Sequence, residues 1–88
     1  MATVTIRYWA AAKEAAGVAA ESYQASTLAE ALAAALDRRV GDEADRLRAV
    51  LARSSFLVDG SPAGARRHED ISLAGAPVIE VLPPFAGG

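Results

Sequence analysis

Eighty-eight residues with 52% hydrophobic content make one small domain with enough apolar material for a core. The absence of cysteine removes disulfides, thiolate metal sites and any cysteine nucleophile, and it fits a reducing compartment. A net charge of −2 gives no electrostatic basis for binding nucleic acid, which normally demands a basic surface.

Thr3 to Trp9 alternates, with Val4, Ile6 and Tyr8 on one face and Thr3, Thr5, Arg7 and Trp9 on the other, the pattern of a half-buried strand. The alanine-rich Ala10 to Ala16 stretch, closed by Gly17, predicts about two helical turns with a glycine stop. Glu21 to Ala25 is polar with one aromatic and predicts an edge strand. A longer helix should open at Thr27, capped by that hydroxyl, with Glu30 reaching back as in a capping box. Leu28, Leu32 and Leu36 then form one apolar stripe, and Gly41 is expected to end the helix.

Asp42 to Arg53 begins acidic and ends basic, as the helix dipole favours, with Leu47, Val50 and Leu51 at helical spacing. Its Asp42–Arg46 and Asp45–Arg48 pairs fit a solvated face. Phe56 to Val58 predicts a short strand, and Asp59-Gly60 is a strong hairpin signal. Ser61 to Glu69 predicts loop or weak strand. Asp70 to Gly75 predicts a compact turn anchored by Ile71 and Leu73. Val78 to Leu82 alternates again, with Ile79 and Val81 facing opposite to Val78, Glu80 and Leu82.

This order predicts an α+β fold: an open, mixed five-stranded sheet with helices packed on one face. A ubiquitin-like β-grasp satisfies it, with the first and last strands as parallel neighbours at the sheet's centre. Residues 1–82 would form that domain and residues 83–88 an extended, flexible tail. No apolar run approaches the ~18 residues of a membrane span, and the first residues lack the regions of a signal peptide, so the cytoplasm is the expected location.

The end of the chain is its most informative part. Glycine loses the most backbone entropy on ordering and packs no side chain, so Gly87-Gly88 is a poor end for a folded element. The pair fits an ordinary frayed terminus, and it also fits a carboxylate that must pass down a narrow channel into a partner. Pro83 and Pro84 would hold the emerging chain extended, and residues 83–88 would reach ~20 Å at roughly 3.3 Å per residue. Trp9 and Leu82 should reach the same sheet edge beside Phe85, as an apolar partner patch at the root of the tail. The alternative places Trp9 in the core or over the sheet's second face.

Arg7 to Gly17, Thr27-Leu28, Val58-Asp59-Gly60 and the Leu82-Pro83-Pro84-Phe85-Ala86-Gly87-Gly88 ending together resemble the MoaD/ThiS-like sulfur carriers. Within that family the chain is most similar to the small subunit of molybdopterin synthase. It departs from the family at Ala74-Gly75-Ala76, where an acidic residue usually stands on each side of the glycine.

The resemblance implies that a ubiquitin-activating (E1-like, MoeB-like) enzyme uses ATP to adenylate Gly88. A sulfur donor protein then displaces AMP and leaves a thiocarboxylate. The tail, with Leu82, Pro84, Phe85, Ala86 and Gly87 as partner contacts, would enter a MoaE-like large subunit. There its sulfur would pass to a cyclic pyranopterin precursor, building the dithiolene of the molybdenum cofactor. The chain would not be catalytic alone. ATP would bind the partner, because Gly60-Ser61-Pro62-Ala63-Gly64 lacks the Lys-Ser/Thr of a phosphate-binding loop.

Three alternatives stay open: a carrier serving thiamin or cysteine biosynthesis, a ubiquitin-like modifier of lysines, and a β-grasp interaction module with an inert tail. Thiamin carriers tend to be shorter and less helical, so the segment from Thr27 to Arg53 argues against that one. His68-Glu69-Asp70 fits a solvated turn rather than a metal site, and a single histidine supports no catalytic triad. Arg38-Arg39 at a helix end favours the dipole, and Arg66-Arg67 fits a solvated loop. Either pair could steer an acidic partner.

Overall fold

A computed structural model describes residues 2–84. The elements run β1 (Ala2–Tyr8), α1 (Ala11–Ala16), β2 (Ala20–Ala25), α2 (Leu28–Asp37), α3 (Gly41–Arg53), β3 (Ser55–Val58), β4 (Ser61–Pro62), a 3-10 turn (His68–Asp70) and β5 (Val78–Leu82). The sheet order is β2-β1-β5-β3-β4. β1 and β5 are parallel, with Ile6 opposite Ile79 and Tyr8 opposite Val81, and the other pairings are antiparallel. This is the expected ubiquitin-like β-grasp, with β2 at one edge.

Strand alternation decides the faces. Val4, Ile6, Tyr8, Phe56, Ile79 and Val81 point inward and are buried. Leu28 of α2 and Leu47 of α3 close over them, both fully buried. Each such aliphatic side chain contributes about 1.5–3 kcal/mol by leaving water. α1 packs on α3, and α2 packs on β2.

The local chemistry of the turns explains why the chain folds at these points. At the start of α2 the Thr27 hydroxyl accepts from the Glu30 N–H at 3.1 Å. The Glu30 carboxylate accepts from the Ser26 N–H at 2.8 Å, one residue further back than in a simple capping box. The Leu28 N–H donates to the Ile71 carbonyl, and the Leu73 N–H to the Ser26 carbonyl. The Asp70–Gly75 segment is thereby pinned to the head of α2, with Ile71 and Leu73 buried beneath it. At the hairpin, Asp59 and Gly60 both have positive φ, 49° and 84°, as a two-residue turn between twisted strands requires. Asp59 also ties this turn to β5: its carboxylate accepts from the Val78 N–H at 2.8 Å, and its own N–H donates to the Val78 carbonyl.

Gly41 does not end α2 as expected. That helix stops at Asp37, and Gly41, at φ 58°, is the first residue of α3. α2 closes without glycine because the N–H groups of Arg38 and Arg39 take the carbonyls of Ala34 and Leu36. The Arg39 guanidinium takes the Ala35 carbonyl as well. Arg39 is therefore buried at the helix end and not free to steer a partner, whereas Arg38 beside it is exposed. The Arg39 side chain also meets the Glu21 carboxylate at 2.9 Å and the Ala16 carbonyl at 2.8 Å. In the loop, Arg66 donates to the carbonyls of Ala63 and Pro62, and Arg67 pairs with Glu69. The Asp45–Arg48 pair lies on the exposed face of α3, as expected.

Candidate functional site at the end of the central strand

The last described residues leave the middle of the sheet. β5 ends at Leu82, half-buried between β1 and β3, and Pro83 and Pro84 follow it outward, Pro84 exposed. Neither proline can donate a ladder hydrogen bond, so pairing stops there. Trp9 stands beside them. Its N–H donates to the Val81 carbonyl at 3.3 Å, which fixes its backbone to the end of β5.

Trp9 is 41% exposed, which excludes the core, and its ring covers part of the sheet's second face, the other half of the alternative. It lies on the sheet's outer face, where alternation also puts Arg7 and Glu80, which face one another across β1 and β5. The indole N–H donates to Glu80 Oε1 at 3.2 Å, and the Arg7 guanidinium sits 5.1 Å from the ring centroid. Two polar anchors thus hold a large apolar ring at the surface. Trp9, Ala10, Ala11, Leu82, Pro83 and Pro84 line one cleft, with exposed Glu14 at its margin. An exposed, oriented tryptophan over an apolar cleft is suited to seating a protein partner.

Of the residues singled out in the sequence, Trp9, Leu82 and Pro84 meet in this cleft. Phe85, Ala86, Gly87 and Gly88 lie outside the described residues. Three contributors escaped sequence reasoning. Arg7 and Glu80 were legible in principle, since alternation puts them on the same outer face as Trp9. Ala10 carried no signal at all: it takes φ 51° and ψ −125° at the head of α1, a conformation an alanine run gives no reason to expect. Among the described residues no group of three or more His, Asp or Glu side chains is placed to hold a metal ion. His68 packs its ring edge-on against Phe56 at 5.0 Å.

The polar cluster on the sheet's inner face lies apart from this cleft. Glu21 accepts from the Tyr8 hydroxyl at 2.6 Å and pairs with Arg39. Burial pushes the Glu21 carboxyl up, but the bonds from Arg39 and Tyr8 outweigh it and hold the group below the ordinary glutamate value. Burial, with the same carboxylate beside it, pushes the Tyr8 phenol well above its ordinary range. The cluster ties β1, β2 and the ends of α1 and α2 together.

The fold and the exit of its central strand define a ubiquitin-like β-grasp protein whose surface cleft adjoins its C-terminal segment. The chain belongs to the ThiS family, whose model matches residues 6–88. No curated protein sequence matches the chain. Among solved structures it is similar to the small archaeal modifier protein 1 of Methanosarcina acetivorans, with 20% identity, 100% of this chain and 98% of that one covered, and a TM-score of 0.80. It is also similar to a chain in the complex of subunits 1 and 2 of the molybdopterin-converting factor from Helicobacter pylori, with 23% identity, 98% and 99% coverage and a TM-score of 0.66. The small archaeal modifier protein 1 of Haloferax volcanii matches with 21% identity, 98% and 99% coverage and a TM-score of 0.65. At these identities the likeness is one of fold.

Proposed function

We propose that this chain is a sulfur carrier that serves as the small subunit of a molybdopterin synthase. The observation that carries the proposal is the Leu82-Pro83-Pro84 exit beside the oriented Trp9 ring, within a family match that runs on through Gly88. A carboxylate is a poor electrophile. An E1-like partner adenylates the Gly88 carboxylate with ATP, releasing pyrophosphate and giving the carbonyl carbon a good leaving group. The terminal sulfur of a donor protein's persulfide then attacks that carbon and AMP departs, leaving an acyl disulfide. A second partner thiol attacks the donor's sulfur, forming a disulfide on the partners and releasing Gly88 as a thiocarboxylate.

The partners supply the acids, bases and nucleotide site. This chain supplies a rigid domain, a seat at Trp9 and a tether without side chains at its tip. The complex of subunits 1 and 2 of the Helicobacter pylori factor supports a second subunit as the partner of a chain with this fold. Within the family, the two helices α2 and α3 between β2 and β3 favour molybdopterin synthesis over the shorter thiamin carriers. In the large subunit, the thiocarboxylate sulfur attacks a carbon of the pyranopterin precursor and displaces an oxygen substituent, giving a thioester. Water then hydrolyses it, leaving the sulfur on the pterin and returning Gly88 as a carboxylate.

The pathway assignment is tested by mixing the thiocarboxylate form with the host's large subunit and the cyclic pyranopterin precursor. Formation of the dithiolene product is expected. A loaded chain that supports no conversion would contradict the molybdopterin assignment. Appearance of Gly-Gly remnants on lysines of other proteins would point instead to a modifier.

A further inference from the structure

Among the described residues, five glycines adopt positive φ: Gly17, Gly41, Gly60, Gly64 and Gly75. Only two other residues do so, Asp59 and Ala10. Asp59 occupies the hairpin turn, where aspartate is well tolerated. Ala10 is different. Its φ of 51° with ψ of −125° lies outside the small left-handed helical well and in the region taken by glycine at the first central position of a type II′ turn. A Cβ there is strained, and a glycine would carry no such strain.

The location of that strain is informative. Ala10 lines the cleft between Trp9 and Ala11, opposite Leu82 and the two prolines. Its carbonyl accepts from the N–H groups of Lys13 and Glu14, and the Trp9 carbonyl accepts from the Ala12 N–H. The Trp9 N–H is held by Val81. Residues 9 and 10 are thus the joint through which α1 is hung on the central strands, and the joint's angle sets where α1 stands beside the indole.

We infer that Ala10 is a positioning residue for the Trp9 seat. Its methyl-bearing, strained backbone restricts the joint and helps to line the cleft, and the strain is the cost of holding α1 in one position beside the indole for the enzyme that activates the tail. The partner clause rests on the sulfur-carrier assignment. The position of α1 beside Trp9 does not.

Ala10→Gly in the full chain separates these. Relief of the strain raises the melting temperature by about 4–8 °C. Trp9 is the chain's single tryptophan, so its fluorescence reports the seat without any partner. Acrylamide quenching rises and emission anisotropy falls in the variant. With the E1-like enzyme, KM for the chain rises severalfold in ATP-dependent AMP release while kcat holds. A melting temperature that is unchanged or lower would overturn the inference, as would a more stable variant with unchanged Trp9 quenching or an unaltered KM. A wild-type chain that the enzyme cannot adenylate would instead count against the sulfur-carrier assignment, leaving the fluorescence result to judge Ala10.

Discussion

Arg39 Nη1 lies 2.9 Å from Glu21 Oε2, with both side chains more than nine-tenths buried. The same guanidinium donates to the carbonyls of Ala16 and Ala35, so one side chain joins the ends of α1 and α2 to the edge strand β2. Arg39→Met removes the cation and leaves Glu21 uncompensated. The expected loss is about 3–5 kcal/mol of unfolding free energy, measured by urea denaturation. The pH dependence follows. Folding lowers the Glu21 pKa below its ordinary 4.5, so the unfolded chain binds the proton more readily. The stabilisation is complete above the unfolded-state value and is lost as pH falls through the folded one. In Arg39→Met the carboxyl stays buried without its cation, its pKa rises, and stability should instead fall as pH increases through that value. A stability profile identical to wild type would contradict the pairing.

The two inner-face tyrosines should respond unequally to loss of their hydroxyls. Tyr8 donates to Glu21 at 2.6 Å, so Tyr8→Phe is expected to cost about 1.5–3 kcal/mol, the range for a bond to a charged group. The Tyr23 hydroxyl is buried beside the Glu21 carboxylate and Arg39 but makes no well-formed hydrogen bond among the described residues. Tyr23→Phe should cost less than Tyr8→Phe, within about 1 kcal/mol. Equal losses in thermal melts of the two variants would contradict this assignment of bonds.

Trp9→Ala separates interface from core. Trp9 is partly exposed on the outer face, and its ring's fixed contacts are with Glu80 and Arg7. The melting temperature should change little, while affinity for the partner falls by about 2 kcal/mol or more, the scale of an interface hot spot. Calorimetry against the large subunit and the E1-like enzyme measures it. Severe unfolding would return Trp9 to a structural role.

Gly88→Ala should sharply reduce loading or delivery of sulfur with no shift in melting temperature, because a methyl group at the tip blocks passage through a narrow channel. Steady-state turnover with the partner enzymes checks it, and normal turnover would count against the channel.

Much of this fold was legible because its strands are half-buried. Val4-Ile6-Tyr8 and Ile79-Val81 each declare a face, and Asp59-Gly60 dictates the turn between β3 and β4. Gly41 misled because a glycine after an apolar stripe usually closes a helix, whereas here backbone and side-chain donors from residues 38 and 39 had already closed it. The Glu21–Arg39 pair was hidden for another reason. The residues belong to separate elements, and nothing local distinguishes a buried arginine from a solvated one. At the cleft, alternation placed Trp9 and Leu82 together. The backbone of Ala10 was beyond reach, since its angles are set by how α1 docks and not by the identity of the residue.

On the proposed function, the carbonyl carbon of Gly88 is the working atom of the chain. Intact mass of the protein purified from its native host, compared with the same chain made where its partners are missing, tests this most directly. A species from the native host with one oxygen exchanged for sulfur, localised to Gly88 by fragmentation, is the predicted result. A chain that carries only oxygen there under conditions of active cofactor synthesis would contradict it.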